Sequence, residues 1–320
     1  PELPEKVIWV WNWAYSWMCA LLALTLLTLP LRFILSLRIS FERWRMVWLL
    51  ALPVLAALVA GIGVYNGCKT PKIKEVTIKS ERVPKSLDGY KIVHLSDIHA
   101  SSALRRWRTE KIVELANGVK ADLICVTGDM SDGYSDKRRR DLEPIKNLTA
   151  KDGVYFVTGN HEYYFDSLNW RILFARWGLR ILDNRSVFPR EGLVIGGVND
   201  IQCERVNDFK PDPAGVFTVA TNGEFRILLQ HRPNVDYSKI HNREYKYSAD
   251  LQLSGHTHGG VMPGISYLVS KANGGFVKGL YKKEDGSFLY VSPGAGQWAG
   301  FPVRLFNDSE ITIITLRTEK

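Results

Sequence analysis

The stretch KIVHLSDIH at residues 91–99 joins a short apolar segment directly to two side chains that can bind a metal ion. The segment KIVHL contains mostly apolar residues and predicts a buried β-strand. Asp97 and His99 follow it within four residues. Ligands of layered α/β folds bind beyond the carboxyl ends of strands. The stretch therefore predicts a strand of an α/β fold that ends in a metal-binding loop.

The same arrangement recurs four more times along the chain. The apolar segments LICVT, VYFVT, FRILL and DLQL each precede a polar cluster, namely GD at 128–129, GNHE at 159–162, His231, and GHTH at 255–258. Gly128, Gly159 and Gly255 beside these clusters predict sharp turns that direct neighbouring side chains into one pocket. The five stretches supply seven candidate metal ligands: Asp97, His99, Asp129, Asn160, His231, His256 and His258.

The chemistry of these seven side chains favours particular metals. They are oxygen and imidazole donors without a thiolate, which suits Mn, Fe or Zn and disfavours sulfur-loving ions. An isolated histidine such as His231 is usually a core or turn residue, but its place in the ordered set favours a ligand. Asp132 in GDMSDG and the Asn199–Asp200 pair in GVND are candidates to support the ligands, but Asx turns are the favoured interpretation, and these residues are not included among the ligands.

The five blocks, in this order, resemble the pattern of the calcineurin-like metallophosphoesterases. That pattern is DxH, GD, GNH followed by an acidic residue, a lone His, and GHxH, and the resemblance extends over residues 72–318. It implies an α/β fold of two packed mixed β-sheets flanked by helices, and a metal-dependent hydrolase of phosphoric esters or pyrophosphates. Helices are predicted near 104–117, 137–149 and 167–177. Val261 departs from the family, in which GHTHGG is commonly followed by Gln, so the substrate remains open.

The resemblance also implies a role for each matching residue. It divides the ligands into two sets around a bridge: Asp97, His99 and His258 for one ion, Asn160, His231 and His256 for the other, and Asp129 shared by both. Two adjacent cations need a shared anion, and together they lower the pKa of bound water and neutralise phosphoryl charge. His161 is the expected catalytic residue, which contacts the phosphate and protonates the leaving oxygen. Glu162 is a candidate to orient His161.

Two apolar stretches at the front of the chain predict a membrane anchor. The range 9–37 carries Arg32 as its only full charge, and 46–65 carries none. About 20 apolar residues suffice for a helix to cross the hydrocarbon core of a bilayer. We therefore expect residues 1–68 to form an N-terminal transmembrane helical hairpin and residues 69–320 to form the metallophosphoesterase domain. A buried hairpin in a soluble protein is the alternative.

Single residues refine this prediction of a membrane anchor. Tryptophan and tyrosine side chains crowd the ends of both stretches, as in the aromatic belts of membrane proteins. Pro30 is expected to kink or end the first helix. Lipidation at Cys68 is disfavoured because Tyr65 and Asn66 occupy positions that should be small or aliphatic. The chain has four cysteines without paired spacing, which predicts neither a disulfide framework nor a zinc knuckle.

The charges leave open which side of the membrane the catalytic domain faces. Arginines in and beside the link between the two stretches favour a cytoplasmic link and an exterior domain: Arg32, Arg38, Arg43 and Arg45. Lysines after the second stretch favour the opposite: Lys69, Lys72, Lys74, Lys79 and Lys85. A UDP-linked lipid would be available only on the cytoplasmic face. The predicted location is a membrane, with the bacterial inner membrane as the expected one.

The net charge of +9 is not evenly spread along the chain, which contains two basic runs. RRWR at 105–108 follows the first metal block, and KRRR at 137–140 follows the second. A solvated helix face is the usual meaning of such runs, and attraction of an anionic substrate or of lipid headgroups is the alternative. Because arginine binds phosphate through paired hydrogen bonds, Arg105, Arg106 and Arg108 are candidate substrate-binding residues.

These features together predict a membrane-anchored phosphoesterase or pyrophosphatase with two divalent ions and a phosphorylated, lipid-like substrate. The N-terminal arrangement and the YVSPG block at 290–294 resemble bacterial enzymes that cleave the pyrophosphate of UDP-2,3-diacylglucosamine in lipid A synthesis. Another phospholipid, isoprenoid or nucleotide ester remains open. No nucleic-acid-binding module is visible, so nucleic acid is not an expected partner. A non-catalytic metal-binding scaffold would be expected to lack ligands, and none is missing.

Overall fold

The computed structural model describes residues 3–36, 41–221, 223–242, 244 and 246–319, except for the side chains of residues 35 and 41–44. Two arginines of the predicted link are affected. Arg38 lies outside the described residues, and so does the side chain of Arg43.

The described chain contains twelve β-strands, which form two sheets of six strands each. In chain order they are β1 Lys72–Ser80, β2 Lys91–Leu95, β3 Leu123–Val126, β4 Val154–Phe156, β5 Arg180–Ile181, β6 Arg185–Arg190, β7 Leu193–Gly197, β8 Phe225–Leu229, β9 Leu251–Ser254, β10 Gly279–Lys282, β11 Phe288–Val291 and β12 Glu310–Thr318.

Nine α-helices accompany these strands in the part of the chain that is described. They are α1 Glu5–Ser36, α2 Phe41–Cys68, α3 Arg106–Gly118, α4 Ser135–Leu142, α5 Asn160–Phe165, α6 Ser167–Arg176, α7 Pro213–Val216, α8 Tyr237–His241 and α9 Ile265–Ala272. Short 3-10 helices cover Lys85–Leu87, Glu143–Asn147, Ile201–Val206 and His258–Gly260.

Both sheets are mixed, and each has a parallel centre. The first sheet has the order β1-β12-β2-β3-β4-β5, in which β2 to β5 are parallel and β12 runs antiparallel to β2. The second has the order β10-β11-β9-β8-β7-β6, in which β11, β9, β8 and β7 are parallel. Parallel strands end at the same edge of a sheet, so the loops after β2, β3 and β4 lie side by side, as do those after β8, β9 and β11.

The alternating side chains of these strands fill two cores. Ile92 and Leu123 of the first sheet belong to one buried cluster with Ile227 and Leu253 of the second, so this cluster joins the two sheets. The opposite face of the first sheet packs against α3 and α6. Fully burying one such side chain contributes about 1.5–3 kcal/mol. Because both faces of the first sheet are covered, its central strands are apolar on both faces.

The predicted fold class, two mixed sheets flanked by helices behind an apolar helical hairpin, is confirmed. The helix predicted over 137–149 is shorter than expected. It ends at Leu142 and continues as a 3-10 helix, because Pro144 has no backbone N–H for an α-helical hydrogen bond. The helix α9 was not predicted.

The N-terminal helices α1 and α2 are long and apolar enough to cross a membrane by length and composition. Large apolar side chains point away from the rest of the chain, with Trp11 68% and Leu27 76% exposed. Such surface is unfavourable in water and suits a lipid environment. Of the two effects predicted for Pro30, the end of the first helix is not observed, since α1 continues to Ser36.

The hairpin packs against loops of the two-sheet part of the chain. The indole N–H of Trp9 donates to the carbonyl of Ala103 at 2.9 Å, and the backbone N–H of Arg304 donates to the carbonyl of Gly63 at 2.9 Å. Ala103 lies in the loop after β2, and Arg304 lies in the loop after β11. The hairpin therefore contacts the edge at which the parallel strands end.

Candidate metal centre

The five sequence blocks lie in loops at the carboxyl ends of strands. Asp97 and His99 follow β2, Asp129 follows β3, and Asn160 begins α5 after β4. In the second sheet His231 follows β8, while His256 and His258 follow β9. The structure thus brings all seven predicted ligands to the edge of the two packed sheets at which the parallel strands end.

One group of possible ligand atoms comprises Asp97, His99 and His258, which are all buried. Their metal-binding atoms lie within 4.8 Å of one another. Nε2 of His99 lies 3.2 Å from Nε2 of His258, and Oδ1 of Asp97 lies 3.6 Å from the latter atom. This group corresponds to the set that the sequence assigns to the first ion.

A second group comprises Asp129, His231 and His256. Nδ1 of His256 lies 3.3 Å from Nε2 of His231. The side-chain oxygen of Asn160 lies 3.1 Å from the same Nε2 atom, so the predicted fourth member is also present.

The carboxylate of Asp129 reaches both groups. Its Oδ2 atom lies 3.2 Å from Nε2 of His231 and 3.8 Å from Nε2 of His99. Its Oδ1 atom accepts a hydrogen bond from the backbone N–H of His161 at 2.8 Å. An oxygen between two groups of ligands is in the position that a bridging ligand requires.

The hydrogen bonds of His99 and His231 engage Nδ1 of each ring and leave Nε2 to face the other candidate ligands. Nδ1 of His99 lies 2.7 Å from Oδ1 of Asp132, and Nδ1 of His231 lies 2.7 Å from the carbonyl of Thr127. Both partners are acceptors, so each Nδ1 carries a proton, and once the ring is neutral the lone pair of its Nε2 points inward. Facing lone pairs need a cation between them, and the donor set fits divalent ions.

The electrostatics of the pocket also favour positive charge. Burial by itself would raise the pKa of Asp129, but His231 and His161 outweigh it and hold that pKa well below the ordinary value. Burial lowers the pKa of His231, yet Asp129 reverses this and raises it to about 10. The carboxylates therefore stay ionised and attract protons onto neighbouring imidazoles. A divalent ion would supply the same positive charge and release those protons.

Backbone conformation at the site is unusual. Five of the seven candidate ligands have φ between 49° and 73°, a left-handed region that is uncommon outside glycine: Asp97, His99, Asp129, His256 and His258. Such strain persists only where surrounding contacts fix it, and it is typical of functional sites.

The glycines of the sequence blocks act in two different ways. Gly128 has φ +84° and provides the sharp turn that the sequence predicts. Gly159 instead allows close approach, because a Cβ atom there would collide with the side chain of Asp129.

Glu162 holds two of the ligand loops together and is completely buried. Its carboxylate accepts hydrogen bonds from the backbone N–H groups of Asp129 at 2.9 Å, Met130 at 2.7 Å and Gly159 at 2.7 Å. The sequence suggested that Glu162 orients the ring of His161. The observed contacts show that it fixes the backbones of the GD and GNHE loops instead.

We expect Glu162→Ala to destabilise the protein by at least about 3 kcal/mol, because it leaves three buried donors unpaired and each costs about 1–3 kcal/mol. Thermal unfolding of the full chain in detergent checks this, with a decrease in Tm of roughly 2–4 °C per kcal/mol. The control is Glu191→Ala, which removes an exposed carboxylate. An equal Tm for the two variants would show that the three hydrogen bonds are not important for stability.

Asp132 was left out of the predicted ligands, and the structure shows that it supports two residues of the site. Its Oδ1 atom lies 2.7 Å from Nδ1 of His99 and 2.7 Å from Nδ1 of His161, and its Oδ2 atom accepts from the backbone N–H of Ala299 at 2.6 Å. Its position three residues after the GD block was the available signal. Asp132 thus orients a candidate ligand and the candidate catalyst together.

The three arginines predicted to bind substrate have other partners. Arg108 is buried, and its guanidinium donates to the carbonyls of Cys68, Lys69 and Ala295. This corrects the prediction for Arg108, whose side chain joins the end of α2 to a loop of the site and is not available to a substrate. Arg106 pairs with Glu110 and Glu143.

Arg105 is the remaining member of the basic run. Its Nε donates to the carbonyl of Ser102 at 2.9 Å, and a terminal nitrogen lies 3.4 Å from the carbonyl of Leu3. The contacts of Arg105 and Arg106 do not place either side chain among the candidate ligands.

A two-sheet α/β fold with carboxylates and histidines gathered at the strand ends is typical of metal-dependent hydrolases. The sequence profile of the calcineurin-like phosphoesterases matches residues 90–260. The chain therefore belongs to the calcineurin-like phosphoesterase family, whose members use divalent metal ions. The predicted resemblance to the calcineurin-like metallophosphoesterases is confirmed. The predicted resemblance to enzymes that act on UDP-2,3-diacylglucosamine is not shown.

Curated relatives agree with this assignment. A transmembrane protein with a metallophosphoesterase domain from Danio rerio is 32% identical over 273 residues, which are 82% of this chain and 61% of that protein. An uncharacterized metallophosphoesterase of Helicobacter pylori is 35% identical over 254 residues, 79% of this chain and 66% of that protein. Another from Aquifex aeolicus is 31% identical over 260 residues, 80% of this chain and 96% of that protein. The chain thus spans under two thirds of the first two relatives.

Proposed function

We propose that the protein is a membrane-anchored phosphoesterase or pyrophosphatase that uses two divalent ions to hydrolyse a phosphorylated amphiphile. The observation that carries this proposal is the position of Asp129 Oδ2 between two groups of histidine nitrogens, 3.2 Å from His231 and 3.8 Å from His99. The seven ligands proposed from the sequence divide around that oxygen.

The bound ions would supply two effects, a lower pKa for a water nucleophile and neutralisation of charge on the phosphoryl oxygens. The protein supplies the geometry. Asp132 and Thr127 fix the rings of His99 and His231, and Glu162 fixes the loop backbones. The ligand positions are therefore prearranged, which favours transition-state stabilisation.

His161 is the proposed proton donor to the leaving oxygen. Its side chain is 18% exposed, so it is open to a substrate, while its Nδ1 atom lies 2.7 Å from Oδ1 of Asp132. This contact with the carboxylate of Asp132 positions the imidazole ring at the mouth of the site. Nε2 lies 3.9 Å from Oδ2 of Asp129, next to the proposed bridge.

The membrane part of the proposal rests on α1 and α2, whose apolar surfaces are exposed. Two relatives described as transmembrane proteins with metallophosphoesterase domains, from Danio rerio and Bos taurus, support it. We propose residues 1–68 as the anchor and residues 69–320 as the catalytic domain. The bacterial inner membrane is the proposed location, and either face of it is consistent with the charges.

The proposed substrate class is a phosphate or pyrophosphate ester that carries a lipid chain, with UDP-2,3-diacylglucosamine as the first compound to test. A site that faces the same edge as the hairpin would meet such a substrate at the bilayer. Another phospholipid, an isoprenoid phosphate or a nucleotide would use the same metal chemistry. Mn, Fe and Zn all match the donor set.

Arg232 is a better candidate to bind the phosphate of the substrate than the arginines of the RRWR run at 105–108. Its side chain is 18% exposed, and its charge acts on both His256 and Asp129 of the second ligand group. Its Nε donates to Oδ2 of Asp200 at 2.8 Å, which fixes the guanidinium beside the site. The remaining N–H groups of a guanidinium in this position can bind phosphate.

We expect Arg232→Gln to lower kcat/KM by about 10- to 100-fold, mainly through KM, because a hydrogen bond to a charged group contributes about 1.5–3 kcal/mol. Steady-state kinetics on bis(p-nitrophenyl) phosphate measure this change. Arg226→Gln is the matched control, since Arg226 lies near the opposite end of the preceding strand β8. An unchanged kcat/KM in Arg232→Gln would exclude a role in binding phosphate.

The experiment that tests the proposed function is a substrate screen with the full chain in detergent or nanodiscs. The protein is loaded with Mn²⁺, Fe²⁺ or Zn²⁺ and offered a phosphomonoester, a phosphodiester and a lipid pyrophosphate. Metal-dependent turnover of at least one compound, lost in His161→Ala, supports a phosphoesterase. A chain that binds the ions and hydrolyses none of them would support the metal-binding scaffold instead.

A further inference from the structure

The helix α9 is apolar and yet contributes no residue to the protein core. It begins five residues after the GHTHGG block, and none of its eight residues is buried. Tyr267 is 62% exposed and Leu268 is 64% exposed. A surface helix of a soluble domain normally buries its apolar stripe. The apolar side of α9 therefore needs a partner outside the described chain.

A neighbouring loop presents a second apolar side chain to the outside. Phe306 is 89% exposed, and its φ of +57° is a strained conformation for a bulky residue. The adjacent residues are firmly held, because Asn307 donates to the carbonyl of His258 at 2.6 Å and Arg304 is completely buried. A fixed backbone thus holds an aromatic ring out of the protein, which is typical of functional sites.

This apolar surface is continuous with the hairpin. A cleft of about 280 Å³ separates the hairpin from the catalytic domain, and its lining is almost entirely apolar: Ala20, Leu24, Val59, Ile265, Phe301 and Leu305 are among its residues. Along α1 the cleft extends from Ser16 to Leu24, roughly 12 Å at 1.5 Å per residue. The first residue of α9 therefore lies beside a part of the hairpin that would be in the hydrocarbon region.

Basic and aromatic side chains border the exposed surface. The ammonium group of Lys271 lies 4.6 Å from the ring centroid of Tyr267, and that of Lys278 lies 2.9 Å from Oδ1 of Asn307. Lysine next to apolar and aromatic side chains is the pattern of a surface that enters a bilayer while its charges remain among anionic headgroups. This charge arrangement favours lipid over a protein as the partner.

We propose that these residues form a membrane-contacting face, the α9 face, composed of Ile265, Tyr267, Leu268 and Phe306. The α9 face lies at the boundary between headgroups and acyl chains, and its occupant is bilayer lipid. The helix α9 follows the candidate ligand His258 in the chain. Contact between the α9 face and the bilayer therefore holds the metal centre at the membrane surface. This inference rests on the proposed function and specifies its substrate as an acylated phosphate that is hydrolysed without leaving the membrane.

The depth of the α9 face can be measured in the full chain by fluorescent labelling. Cys19→Ala provides the background, because the other three cysteines are buried. A nitrobenzoxadiazole label is attached at Leu268→Cys or Phe306→Cys, and the protein is reconstituted into vesicles of phosphatidylethanolamine and phosphatidylglycerol. Val219→Cys is the control, since Val219 is 61% exposed and lies in the segment before β8, at the sheet edge away from the metal centre.

We expect lipids with a nitroxide on the acyl chain to quench the labels at 268 and 306 at least threefold more than the label at 219. Aqueous iodide should show the opposite order. Equal iodide quenching at all three positions would overturn the proposal. Protection of the labels from iodide that appears only when a cell extract is added would also overturn it, because it indicates a protein partner. Labelling needs no turnover, so lipid quenching in an inactive protein would still support the α9 face while the proposed function failed.

Kinetics give a second, independent measurement. We expect Leu268→Glu to lower turnover of an acylated phosphoester in vesicles at least tenfold and to leave hydrolysis of bis(p-nitrophenyl) phosphate within twofold of wild type. The matched control, Val219→Glu, should change neither rate. Equal loss on both substrates in Leu268→Glu, or no loss on either, would contradict the proposed role in presenting lipid.

Discussion

Asp129→Ala is expected to remove both metal ions and to lower turnover by at least about 10³-fold. The reason is geometric. One oxygen of Asp129 lies between Nε2 of His231 and Nε2 of His99, so its loss affects both groups of ligands. Elemental analysis of the dialysed variant measures the first effect, and hydrolysis of bis(p-nitrophenyl) phosphate measures the second.

Asp136→Ala is the matched control for this experiment, because its carboxylate is 66% exposed and pairs only with Lys137 among the ion pairs that the structure describes. It should keep the metal content and activity of wild type. A variant at position 129 that retains two ions per chain would show that Asp129 is not the bridge. Retention of one ion would mean that it belongs to a single ligand group.

His161→Ala is expected to keep both ions and to lower turnover by about 10² to 10⁴, the usual range for loss of a general acid or base. The side chain contacts Asp132 and lies near Asp129, but it belongs to neither group of proposed ligands. Metal analysis and kinetics on one preparation separate the two effects. A larger loss with a poor leaving group than with p-nitrophenolate would indicate proton donation.

His241→Ala controls for removal of an imidazole elsewhere, since His241 lies at the end of α8 and contacts the carbonyl of Pro211. It should leave turnover within twofold. Full activity of His161→Ala at neutral pH would refute the catalytic role. Loss of metal together with activity would instead make His161 a ligand.

The parts of the fold that sequence could predict are those with local causes. Each ligand block follows a short apolar strand, and a strand of that kind in a parallel sheet brings its loop to a known edge. The pattern of Ile92 and Val93, both buried on opposite faces of β2, follows from alternation along the strand. The two apolar helices were predictable from the length and the apolar composition of their stretches.

The parts that sequence could not predict depend on contacts between distant segments. Asp132 has the composition of a turn, and its role is visible only once His99, His161 and Ala299 lie around it. Arg108 belongs to a basic run that predicts an exposed face. It is buried because the end of α2 and the loop at Ala295 together supply three carbonyl acceptors.

The docking of the hairpin was likewise beyond prediction from composition. Gly67 lies so close to the backbone of Pro302 that a Cβ atom there would collide with the carbonyl group. This contact joins residues 235 positions apart, and it brings an apolar helix to the loop that also carries Arg304. Composition gives the apolar character of α2, but not the surface against which its last turns pack.

A titration of the dialysed full chain with Mn²⁺, in which bound ions per chain and turnover are measured on the same samples, tests the central claim most directly. The position of Asp129 between two groups of ligands predicts that activity follows occupancy of the second site and is complete at two ions per chain. Full activity with one bound ion, or with none, would contradict the two-metal centre.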